Sequence, residues 1–226
     1  MKGRSKGRSA AAKPAEGEPK SNQSPQPESK GSQEQPPADV SSGAEKNGEE
    51  TPPAPTPGAD RVARGEGLLA EGNAVQAAEA FSSALALEPE NVSALLGLGS
   101  AMLSQAQYEG AEKEFRKALK LGPNVPAVHY QLGLTLFRRG VYATAITQLR
   151  RAIELKPDLA AAYLVLGESL NLSGEPEAAI EALEQALKLQ PENGKAFYAL
   201  GIAYDRKAQP ERAAEMYRRS REVGAR

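Results

Sequence analysis

Catalysis and metal binding draw on a few residue types held at short range, and this chain offers few of them. Its 226 residues contain no Cys, no Trp and a single His. Without Cys there is no disulfide framework, thiolate nucleophile, zinc knuckle or thiol lipidation site. His129 alone cannot supply a multi-histidine metal site or a two-histidine catalytic pair. Acid pairs occur at Glu49-Glu50, in a polar segment, and at Glu112/Glu114, on a helix face expected to be solvated. No phosphate loop, nucleophile elbow or zinc-protease helix motif is present in the sequence. We therefore expect no catalytic residue, no metal, no cofactor and no enzyme.

Charge narrows the partners. Lys and Arg total 28 against 29 for Asp and Glu, a formal net charge of −1. A dedicated nucleic-acid binder carries a marked basic excess, so specific nucleic-acid binding is not expected. No apolar run approaches the roughly 20 residues that cross a bilayer. The basic N-terminus lacks an apolar h-region, so no secretory signal is read there. The expectation is a soluble, cytoplasmic protein.

Composition changes sharply near residue 58. Residues 1–57 hold ten of the seventeen prolines and no Leu, Ile, Phe or Tyr. Such a segment cannot bury enough surface to offset its ordering entropy, so 1–57 is expected to be disordered. Its cations lead, as Lys2, Arg4, Lys6 and Arg8, while its acids trail. That order suits a solubilising tail, with a weak tether to a polyanionic surface as the alternative.

The remaining chain, 58–226, repeats itself. Pro89, Pro123, Pro157 and Pro191 are spaced 34 apart, as are Gly65, Gly99, Gly133, Gly167 and Gly201. Ala77, Ala111, Ala145, Ala179 and Ala213 form a third ladder, and Ala84, Ala118, Ala152 and Ala186 a fourth. Five units follow: 58–91, 92–125, 126–159, 160–193 and 194–226. A period of this length means stacked repeats. Within each unit the apolar residues keep helical spacing in two runs. Gly72, Gly140 and Gly174 separate the runs, where a left-handed residue closes a helix cheaply. Pro176 and Pro210 fall at the first turn of the second run, where a missing N–H costs little. Phe81, Phe115, Leu149, Leu183 and Tyr217, also 34 apart, are the bulky groups expected beside the small residues.

Small residues at these places, a large one between the two Ala ladders and Pro closing the unit resemble the tetratricopeptide repeat. The resemblance covers 58–226 and implies an all-α solenoid of stacked antiparallel helix pairs. Repeat one departs from it, with Arg61 and Arg64 where other units carry Leu95 and Leu98; this suits a terminal unit. The polar last helix suits a self-capped end.

The resemblance also implies a concave groove lined by the first helix of each unit. The inward residues expected to bind a partner are Leu96 and Leu103 in unit two, and Tyr130, Leu134, Phe137 and Arg138 in unit three. Unit four contributes Leu164, Glu168 and Asn171, and unit five Tyr198, Ile202, Asp205 and Arg206. Chaperone-binding members of the family clamp a carboxylate with Lys and Asn. The matching places here are Val62, Glu66, Leu96 and Ser100, so that clamp is absent. His129 stands at the place of Leu95, Tyr163 and Phe197 and is expected to be a half-buried packing imidazole. The sequence thus points to a protein-interaction adaptor whose groove takes a peptide or an amphipathic helix. The alternative is a self-assembling structural protein whose groove takes a neighbouring copy.

Overall fold

The computed structural model describes residues 57–224, all within one compact unit, Thr51–Arg226. The expectation of a disordered 1–57 lies outside the described residues, apart from Pro57, which opens the first helix. Every described element is a helix. In chain order these are α1 (Pro57–Ala70), α2 (Ala74–Leu87), α3 (Val92–Ser104), α4 (Tyr108–Leu121) and α5 (Pro126–Arg138). Then follow α6 (Tyr142–Leu155), α7 (Ala160–Ser173), α8 (Pro176–Leu189), α9 (Gly194–Arg206) and α10 (Pro210–Gly224).

Local chemistry sets the ends. Asn91 and Asn193 cap α3 and α9, their side chains accepting from the N–H of Ala94 at 2.9 Å and of Ala196 at 3.1 Å. Such a cap satisfies one of the donors that a helix start leaves unpaired. Pro126 and Pro176 occupy the first turns of α5 and α8. The turn between paired helices needs a left-handed residue, and Gly72, Gly140 and Gly174 supply it at φ 82°, 78° and 81°. Repeats two and five make the same turn without glycine: Ala106 and Ala208 adopt φ 58° and 54°. Only register signals these two positions in the sequence.

Packing follows the ladders. The Ala residues of both ladders from Ala77 to Ala186 are fully buried, as are Phe81, Phe115, Leu149 and Leu183. Each of these bulky groups sits against a ladder glycine: a Cβ on Gly65 would stand 2.7 Å from the Phe81 ring, and one on Gly133 2.7 Å from Leu149 Cγ. Phe81 also touches Gly97 of the next repeat, so one ring fixes the approach of α1, α2 and α3. Burying a side chain of this size stabilises by about 1.5–3 kcal/mol.

Each helix packs on its neighbours in sequence, and the odd-numbered helices also touch one another, from α1·α3 to α7·α9. Among the described residues no two even-numbered helices touch. The odd helices therefore form the inner, closer-spaced layer and the even helices the outer one. The fold is an α-solenoid of helix pairs.

Candidate functional site

The inner layer carries the expected groove. Tyr130, Leu164 and Tyr198 hold one position on α5, α7 and α9, with Leu134, Glu168 and Ile202 one turn further along the same helices. Leu96, Leu103, Tyr130, Leu134 and Phe137 are half-buried and pack against the central core. Leu164 packs likewise against the C-terminal core. These residues have one edge in the inter-repeat packing and the other on the groove floor. Leu172, at 48 %, and Tyr198, at 57 %, are the large apolar groups most exposed along the inner face.

Asn171 does not belong on that surface. It is 3 % exposed and donates its side-chain amide to the Ala199 carbonyl at 2.9 Å, tying α7 to α9. Arg206 donates to the Asn171 backbone carbonyl. Val62 and Val165, which also fall at inward register positions, are buried. The cause is common: close spacing of the inner helices covers one flank of each.

The charged groups are arranged unevenly. Arg138 is exposed, its guanidinium 6.0 Å from the Phe137 ring centroid; that ring in turn lies 6.0 Å from Tyr142. Asp205 accepts a hydrogen bond from the Tyr217 hydroxyl at 2.6 Å. Desolvation, together with this bond and charge, pushes the Tyr217 phenol up to about 12. The Tyr198 ring lies 5.5 Å from that of Tyr217. Glu168 makes no hydrogen bond or ion pair among the described residues. Burial raises its carboxyl above the ordinary range, and the charges of Arg138 and Lys195 only partly offset this. Burial also raises Tyr130, with Arg138 opposing and Glu168 adding to the shift. The floor around Glu168 thus presents a half-buried, unpaired acid between tyrosines and two cations. A cavity of about 1030 Å³ opens at the C-terminal end of this face, with Glu168, Lys195 and Tyr198 on its wall.

Three residues with catalytic potential lie away from the groove floor. His129 is buried, with Nε2 donating to the Pro123 carbonyl at 2.9 Å and Nδ1 2.8 Å from the Gln148 side chain. It is a packing residue bridging α5 and α6. Glu112 and Glu114 are not on a solvated face: they are 5 % and 8 % exposed. Glu112 is held by Arg116 and by Arg139 from the following repeat, and Glu114 by Lys117 at 2.9 Å. Their cations cover them, which apolar periodicity does not reveal. Among the described residues no cluster of His, Asp or Glu is arranged to hold a metal ion, and no helix is long and apolar enough to cross a membrane.

A solenoid of 34-residue helix pairs with ladders of Gly, Ala and Pro defines a class of repeat protein. Three tetratricopeptide repeat models match the chain, at residues 68–134, 124–192 and 172–224. The chain belongs to the tetratricopeptide repeat family. Among solved structures it is similar to MamA, at 28 % identity and a TM-score of 0.64 over 71 % of this chain and 94 % of that one. It resembles MamA residues 41–end from Desulfovibrio magneticus RS-1 at 27 % identity and a TM-score of 0.68, covering 76 % and 98 %. YrrB, described as a TPR protein with an unusual peptide-binding site, matches at 25 % identity and a TM-score of 0.62, covering 72 % and 84 %. Among curated protein sequences none matches the chain.

Proposed function

We propose that the protein is a non-enzymatic, cytoplasmic adaptor that holds a peptide or an amphipathic helix of another protein along its inner face. The observation that carries this reading is the row of half-exposed apolar edges, Leu96, Leu103, Leu134, Leu164 and Ile202, running along successive inner helices. Continuous apolar exposure is costly in a soluble body and is relieved when a partner covers it. Arg138, Glu168, Asp205 and Arg206 flank the row and set register and specificity more than affinity. The likeness to YrrB, with its peptide-binding site, supports the same reading.

The test compares inner and outer faces. Arg138→Glu combined with Leu172→Asp alters the inner face at exposed positions; Lys113→Glu combined with Arg150→Glu alters the outer face. The inner pair should lose the principal partner of the full chain in affinity capture, with unchanged far-UV helicity, while the outer pair keeps it. Light scattering across concentration addresses the competing reading: an assembly broken by the inner pair would make the groove a self-association site.

A further inference from the structure

The middle of the inner face is apolar except at one place. A single repeat position carries Leu134 on α5, Glu168 on α7 and Ile202 on α9, with Leu164 one turn before the acid and Leu172 one turn after it. Leu134, Leu164, Glu168 and Ile202 are half-buried, and Leu172 is exposed. Glu66 holds the same position on α1, but in full contact with solvent. Because α7 touches both α5 and α9, the setting of Glu168 does not depend on either end of the array.

The other charges of this face do not satisfy it. Arg138 and Lys195 are exposed and act on the carboxyl through charge alone, without an ion pair among the described residues. Arg138 lies instead over the Phe137 ring. Arg206 is engaged by the Asn171 carbonyl, and Asp205 by the Tyr217 hydroxyl. From α5 to α9 the face thus offers a cation, a half-buried anion and a second cation. Only the anion is set among apolar side chains.

A segment that covers Leu134, Leu164, Leu172 and Ile202 must also cover Glu168. Stripping water from a carboxylate is costly unless a counter-charge arrives with the ligand. An acidic ligand residue at that point would add repulsion, which selects against it. We propose that Glu168 chooses the ligand: the segment held along the inner face carries one Lys or Arg within its apolar stripe, paired with this carboxylate, and acidic residues to either side for Arg138 and Lys195. The inference rests on the inner face being the binding groove and names the chemistry of what that groove takes.

The test pans a phage-displayed library of random peptides on the full chain and, in parallel, on its Glu168→Gln form. Peptides selected on the parent should share a Lys or Arg among apolar residues, with Asp or Glu further out; those selected on Glu168→Gln should lose the basic residue. The best parental peptide is then made with a fluorescein label, alongside a form in which norleucine replaces its Lys or Arg. Anisotropy titration should show the norleucine form binding the parent at least about tenfold more weakly, and binding Glu168→Gln about as well as the original does. Leu172→Asp should weaken both peptides. A selected consensus without a basic residue, or equal affinities of the two peptides for the parent, would overturn the inference; if Leu172→Asp still weakens them, the groove reading stands and the chain's own cations neutralise Glu168. Binding that Leu172→Asp leaves unchanged, or a library that yields no binder, would overturn the groove reading and this inference with it.

Discussion

Gly133 and Leu149 meet so closely that a Cβ on the glycine would stand 2.7 Å from the leucine Cγ. The contact joins α5 to α6 in the middle repeat, which has neighbours on both sides. Gly133→Leu should therefore cost at least the ~1–3 kcal/mol typical of overpacking. Gly65 makes the matching approach to Phe81 in the first repeat, which among the described residues has a neighbour on one side only. Gly65→Leu should cost less, because a terminal repeat loses one interface rather than two. Denaturant melts of both variants check this; equal losses would contradict the stacked order.

Ala106 and Ala208 stand at left-handed φ values where three other repeats carry glycine. A Cβ is unfavourable in that conformation, and glycine relieves it at some cost in unfolded-chain entropy. Ala106→Gly and Ala208→Gly should each stabilise by a few tenths to about 1 kcal/mol. Thermal melts read the gain directly. Lower melting temperatures would show that the turns are not strained.

Glu168 gives the stability a pH dependence of definite sign. Burial holds its carboxyl above the ordinary value of 4.5, so the folded chain binds the proton more tightly than the unfolded one. Its contribution is full below about pH 4.5 and falls as pH rises through the folded value. Glu168→Gln removes that fall. The variant should melt above the parent at pH 7, with the margin closing as pH falls towards 4.5. A margin that widens on acidification would reverse the assignment.

Arg139 reaches back one repeat to buried Glu112. Arg139→Ala leaves the acid with Arg116 alone, a partly exposed pair screened by solvent, and should cost about 1–3 kcal/mol. Glu112→Gln in that background should recover part of the loss, because a neutral amide is cheaper to bury. Urea melts of the single and double variants measure both effects, and no recovery would show that Arg139 acts through packing.

The fold was legible because its determinants recur. Four ladders at one spacing fixed the repeat, and the glycines at 72, 140 and 174 fixed three of the turns. The groove was legible only in part. Register correctly identified α5, α7 and α9 as inner helices, but it assigned Asn171 to the surface when neighbouring α9 covers it. A single-helix pattern carries no record of how closely the next helix approaches. The same limit hid Glu112 and Glu114, whose cations come partly from another repeat and follow no period. The Tyr217–Asp205 hydrogen bond was equally silent, since it joins two helices of one repeat through residues that other repeats do not share.

In the proposed function the inner layer, and not the outer one, holds the partner. Quantitative affinity capture with the full chain, its Arg138→Glu/Leu172→Asp form and its Lys113→Glu/Arg150→Glu form tests it most directly. Loss of the principal partner is expected only in the first variant, with all three proteins equally helical. Loss confined to the outer-face variant, with the inner-face variant binding as the parent does, would contradict it.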